Sequence, residues 1–196
     1  MNTTPQYEAV VFDFFGVLCS LVIEEWFEQQ APGPSGMQMK HEIFDDADLG
    51  VKAPQTVYEE AARFANTSPE DVVSQWNREA LIDTTMVALL KSIKGNYKTA
   101  LCSNAFSDFL SPLIRDNNLE SCFDTIVISS EHRLMKPDVR IYEYTLAQIG
   151  VHPHNALFID DNMLNVDAAR SIGMTAIHFT SRIELEKQLN TLGVIF

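Results

Sequence analysis

The chain has 196 residues, 46% hydrophobic and 21% charged, which suits one globular α/β domain with room for a modest insertion. Its 27 acidic against 14 basic side chains give a net charge of −13, which argues against nucleic acid and anionic membranes as partners. The same field would repel a phosphate ester unless a cation and a few local donors overcome it at one spot.

No apolar run reaches the roughly 18 residues that a bilayer span needs. The polar start, Met1 to Tyr7, has no basic leader region, so a soluble, cytoplasmic protein is expected. Cys19, Cys102 and Cys122 form no paired motif. They are expected as buried free thiols of a reducing compartment, ahead of a nucleophilic or metal-bound cysteine.

The first predicted element is Ala9-Val10-Val11-Phe12, a continuous apolar run that suits a strand buried on both faces and ends at Asp13. From Cys19 to about Asp83 no convincing strand follows. Trp26 and Phe27 precede a Pro/Gly-rich link, Ala31 to Gly36, and a later helix is capped by Ser68 with Pro69 first and Asp71 third. Val72, Val73, Trp76 and Ala80 form the apolar face of that helix. Residues 19–83 are therefore expected as a helical insertion, and residues 1–18 with 84–196 as the core. Trp26, Phe27, Phe44 and Trp76 are expected inside the insertion's own core, with a contact to substrate as the alternative. Asp45-Asp46-Ala47-Asp48 is expected as a solvated acidic turn, with a contact to a hydroxylated leaving group as the alternative.

Strand and helix then alternate. Met86, Leu89, Leu90 and Ile93 share a helical face, with Gly95 as the stop. Thr99 to Cys102 is a second strand, ending at Ser103, and Phe106, Leu110, Leu113 and Ile114 a second core helix. Thr125 to Ile128 is a third strand, ending at Ser129. Val139, Tyr142, Leu146 and Ile149 mark a helix opened after Pro137 and closed by Gly150. Ala156 to Ile159 is a fourth strand, ending at Asp160, and Val166, Ala169 and Ile172 a short helix closed by Gly173. Thr175 to Phe179 is the fifth strand, and Ser181 with Glu184 caps the last helix. Such alternation implies a Rossmann-like parallel sheet with helices on both faces, in which ligands bind beyond the carboxyl ends of the strands.

Four groups of residues converge there. Asp13 ends a buried strand, and Gly16 allows a sharp turn after it. Ser103-Asn104 offers a hydroxyl, an amide and backbone N–H groups that can cradle phosphate. Lys136, before Pro137-Asp138, supplies a cation. Taken singly, these read as a loop cap, a turn and a solvated lysine. Asp160-Asp161 is more specific, because paired carboxylates repel each other and hard oxygen ligands favour Mg²⁺. His41, His132, His152, His154 and His178 show no ligand spacing and are assigned no role.

Together these motifs resemble the haloacid dehalogenase (HAD) superfamily over nearly the whole chain. The resemblance is strongest in Lys136 to Tyr142 and Phe158 to Asp161, and closest to the branch with a small helical cap after the first strand. That branch includes sugar-phosphate phosphatases and the phosphatase domain of soluble epoxide hydrolase. The resemblance implies that Asp13 is a nucleophile taking a phosphoryl group and a Mg²⁺ ligand, and that the Phe15 carbonyl also binds the metal. It implies that Ser103 and Asn104 hold phosphate oxygens and that Lys136 pairs with phosphate and Asp13. Asp161 would be the main further metal ligand, with Asp160 beside it through water or a hydrogen bond, and Asn165 would brace the loop. The implied partner is a small phosphorylated metabolite, and the assembly a monomer or homodimer.

Two positions depart from the family pattern. Phe15 stands where phosphatases carry the Asp that protonates the leaving oxygen, help worth about 10²–10⁴-fold in rate. Arg133 stands where relatives often have glycine. The expected activity is phosphatase. A phosphate-binding protein with little turnover is the second reading, and a metal-independent 2-haloacid dehalogenase the third; the retained Asp160-Asp161 pair argues against the last.

Overall fold

The computed structural model describes residues 7–196; residues 1–6, most of the polar start, lie outside the described residues. Five strands, β1 (Ala9–Phe12), β2 (Lys98–Ser103), β3 (Thr125–Ile128), β4 (Ala156–Asp160) and β5 (Thr175–His178), form one sheet in the order β3-β2-β1-β4-β5. Every pairing is parallel. The chain runs outward from β1 to β2 and β3, then crosses back to β4 on the other side of β1. The order therefore reverses between β1 and β4, and a crevice opens there beyond the strand ends. The fifth strand is one residue shorter than the apolar run suggested. Phe179 already lies in the following loop, where its N–H donates to the Asp160 carbonyl at 2.8 Å.

Alternate residues of each strand serve opposite faces of the sheet. Val10, Phe12, Leu101, Leu157 and Ile159 join one apolar cluster with α5 (Thr84–Lys94), α6 (Ser107–Asp116) and α10 (Arg182–Thr191). Ala9, Val11, Ala100, Cys102 and Phe158 join the other with α8 (Val139–Ile149) and α9 (Met163–Ser171). Both faces being buried explains why the strands read as unbroken apolar runs. The three cysteines are free and buried. Phe106 proves to be the N-cap of α6 rather than its first turn.

Between β1 and α5 lie four helices: α1 (Val22–Gln30), α2 (Pro34–Asp48), α3 (Pro54–Ala65) and α4 (Pro69–Glu79). Proline opens three of them, where its missing N–H costs nothing. Trp26, Phe27, Phe44 and Trp76 pack edge-on or tilted against one another, with ring centroids 4.9–5.8 Å apart. The chain leaves and re-enters the core side by side. Ser20 N–H donates to Leu81 O at 3.0 Å and Asp83 N–H to Leu18 O at 2.9 Å. No helix among the described residues is long and apolar enough to cross a membrane.

Candidate active site

Parallel register places the tips of β1 and β4 side by side: Phe12 pairs with Ile159, and Asp13 N–H donates to the Ile159 carbonyl at 2.9 Å. Asp13 and Asp160 therefore emerge as neighbours at the crevice. The ammonium of Lys136 lies between them, 2.7 Å from Asp13 Oδ1 and 2.7 Å from Asp160 Oδ2, with only 1% of its side chain exposed. Burial works against the lysine's charge, but Asp13 and Asp160 more than offset it and hold its pKa above that of a free lysine.

Asp160 is held on every side. Oδ1 accepts from Asn162 N–H at 2.8 Å and Asn165 Nδ2 at 3.0 Å, while Oδ2 accepts from Lys136 and from Asn165 at 3.1 Å. Tyr142 donates its hydroxyl to the Asn165 carbonyl at 3.0 Å and so steadies the same loop. Asp161 is less enclosed and lines the cavity. Its main-chain carbonyl contacts His178 Nε2 at 2.8 Å, a contact for which the sequence offered no spacing signal.

One ligand atom from each of Asp13, Asp160 and Asp161 falls within 4.8 Å of the others. Three carboxylates against one ammonium leave excess negative charge. Burial chiefly, with Asp160 and Asp161 adding, pushes the Asp13 carboxyl well above the usual range despite Lys136; burial and then Asp160 push Asp161 up. Hard oxygen donors crowded in this way fit a small divalent cation. Gly16 makes room for the Asp161 carboxylate, since a Cβ there would meet Asp161 Oδ2 at 2.3 Å.

Ser103 is fully buried, and its Oγ is one of two buried side-chain polar atoms among the described residues without a partner. It does not line the cavity, whereas Asn104 does. The Asn104 side chain is engaged with the lysine loop: Nδ2 donates to Lys136 O at 2.8 Å, and Oδ1 accepts from Lys136 N–H at 2.7 Å. Its side chain thus fixes Lys136.

A cavity of about 420 Å³ rises from these strand ends to the inserted helices. One wall is aromatic. Phe15 stacks on Phe109 at 5.8 Å, and Phe109 on Phe106 at 5.9 Å. Phe44 continues the wall while it packs, as expected, on Phe27 and Trp76 inside the insertion's core. The other wall is polar and comes from α1 and α2: Glu24, Lys40, Asp45 and Asp48. The expectation of a solvated acidic turn holds for the exposed Asp45 and Asp46 but is corrected in two respects: the segment is the end of α2, and Asp48, its last residue, is only 8% exposed. The signal was the helical spacing of residues 37, 40, 44 and 48, whose common face becomes meaningful only once the direction of the cavity is known.

A family model described as haloacid dehalogenase-like hydrolase matches residues 7–173. A drimenol cyclase of Aspergillus calidoustus is 27% identical over 80% of this chain, which spans 31% of that protein's length. A sesquiterpene phosphatase of Aspergillus oryzae is 24% identical over 95% of this chain and 96% of its own. Among solved structures, a HAD family enzyme of Bacteroides thetaiotaomicron in complex with magnesium and inorganic phosphate superposes with a TM-score of 0.74 at 20% identity, covering 91% of this chain and 98% of that one.

Proposed function

Because the chain belongs to the haloacid dehalogenase-like hydrolases, we propose that it is a Mg²⁺-dependent phosphatase of a small phosphorylated metabolite with an apolar organic group, working through an aspartyl-phosphate on Asp13. The observation that carries this reading is the crowding of Asp13, Asp160 and Asp161 around one buried ammonium. The aromatic wall and the sesquiterpene phosphatase relative favour an apolar group on the substrate, and the magnesium and inorganic phosphate of the Bacteroides neighbour support a metal-dependent phosphate site.

Asp13, Asp161 and the Phe15 carbonyl would hold Mg²⁺, with Asp160 anchored beside them by its four hydrogen bonds. When bound, the ion supplies the positive charge that lets a phosphate dianion approach these carboxylates. Asp13 Oδ1 accepts from Phe14 N–H at 2.7 Å and from Lys136 at 2.7 Å, which leaves Oδ2 to attack phosphorus. Lys136 neutralises charge on the nucleophile and on the phosphoryl oxygens. The Asn104 backbone N–H, directly after β2 and in the cavity lining, would take those oxygens, with the unpartnered Ser103 hydroxyl buried next to it. Water then cleaves the aspartyl-phosphate, so one hard displacement becomes two easier ones.

Phosphate release from a panel of terpenyl, alkyl and sugar phosphates with Mg²⁺ tests this reading. Release should occur, and EDTA or Asp13→Asn should abolish it; a protein inert on the whole panel, or activity surviving in Asp13→Asn, would sink it. Phe15 specifically favours a second reading, a phosphate-binding protein with little turnover, in which Phe15→Asp would turn an inert protein into a measurable phosphatase. A dehalogenase would instead release chloride from a 2-haloacid in the presence of EDTA.

A further inference from the structure

Hydrolysis of an unactivated ester at this site needs a proton for the departing oxygen. Phe15 has none to give, and its ring is stacked against Phe109. We propose that Asp48, at the end of α2 and in the cavity wall facing the nucleophile, supplies the proton to the leaving-group oxygen. This rests on the phosphatase reading above.

The geometry brings Asp48 to the right end of the cavity. The cavity-facing stripe of α2 descends towards the strand ends and terminates at Asp48. There its main-chain carbonyl accepts from the buried hydroxyl of Ser129, the residue that directly follows β3, which sets this end of α2 against the strand ends. Glu24, on α1, lines the same cavity and adds its negative charge to the field on both Asp161 and Asp48. Asp48 is buried, yet it lines the same cavity as Asp13 and Phe15.

Its surroundings keep the proton on at working pH. Burial is the largest influence, opposed by Lys40; Glu24 and Asp45 push the same way as burial, and the Phe106 N–H pulls back, leaving the carboxyl at about 7. Lys40 is less suited to donate. Burial lowers its pKa, but Glu24, 2.9 Å away, reverses this and holds the ammonium above its ordinary value. Near neutrality, then, Asp48 combines a protonated fraction with a driving force for transfer.

The step balances. The Asp13 Oδ2–phosphorus bond forms as the phosphorus–oxygen bond to the organic group breaks. The proton passes from Asp48 to that oxygen, directly or through one water. The product is a neutral alcohol, and the Asp48 carboxylate is left near the Lys40 ammonium until a proton returns from solvent through the open cavity.

The test compares hexyl phosphate, whose alkoxide needs a proton to leave, with p-nitrophenyl phosphate, whose phenolate does not. Asp48→Asn should lower kcat on the alkyl ester by about 10²-fold or more, and on the aryl ester far less, so that the alkyl-to-aryl ratio falls at least tenfold. An equal loss on both esters, or no loss on the alkyl ester, would overturn the proposal. The wild-type protein gives an arm that does not depend on a variant folding. Its alkyl-ester rate should decline as pH rises through about 7, while the aryl-ester rate does not share that limb; superimposable profiles would overturn the assignment. Aryl-ester hydrolysis abolished by Asp13→Asn upholds the phosphatase reading whatever Asp48 does, whereas hydrolysis of neither ester removes both.

Discussion

A Cβ on Gly16 would stand 2.3 Å from Asp161 Oδ2, and the residue holds φ at +80°. An L side chain there is strained by about 1–2 kcal/mol and must also displace the carboxylate. Gly16→Ala should therefore raise the Mg²⁺ concentration for half-maximal phosphate release by about tenfold or more, as disturbed support of metal ligands commonly does, with the far-UV circular dichroism unchanged. An unaltered Mg²⁺ requirement would detach Asp161 from the metal. At this scale the sequence was most informative where polarity interrupts an apolar run: Asp13, Ser103 and Asp160 all announce themselves as strand ends. Arg133 also makes sense here. It holds φ at +54° at the end of the short helix α7 (Ser129–His132), a left-handed position where glycine is the residue without a steric penalty. The second use of Asn104, as a clamp on the Lys136 backbone, was hidden, because the two residues meet only through the tertiary fold.

The elements were legible where periodicity has a single interpretation, and less so where the fold decides which face matters. Strands buried on both sides read as apolar runs, and helices of the core read as stripes. For α2 the sequence shows two neighbouring faces, one with Ile43 and Ala47 and another with Lys40, Phe44 and Asp48, without saying which meets a cavity. What orients α2 is a contact with α7. Ser129 Oγ donates to the Asp48 carbonyl and accepts from Ala105 N–H at 3.0 Å, and Gly50 lies so close to Ser130 that a Cβ would meet its carbonyl at 2.1 Å. Ser129→Ala leaves a buried carbonyl and a buried N–H without that partner. It should cost about 1–3 kcal/mol, seen as a lower urea midpoint at unchanged slope. A loss below about 0.5 kcal/mol would mean that α2 is held in place by apolar packing alone.

Across the whole molecule, one apolar cluster runs without a break from Val10 and Phe12 of the sheet, through Phe106 and Phe109, to Phe44, Trp76 and Trp26 of the inserted helices. The backbone pairing of residues 18–20 with 81–83 closes the same junction from the other side. Segments that share a core lose it together, so the insertion and the sheet should unfold as one cooperative unit. The chain supplies its own probes, since both of its tryptophans, Trp26 and Trp76, lie in the insertion while the strands lie outside it. In urea, tryptophan fluorescence and far-UV circular dichroism should therefore report one coincident transition. A fluorescence change that precedes the loss of secondary structure would show the four helices opening before the core. The cavity between them would then be a cleft whose walls move independently, and a proton donor on α2 would meet the nucleophile only when the helices close.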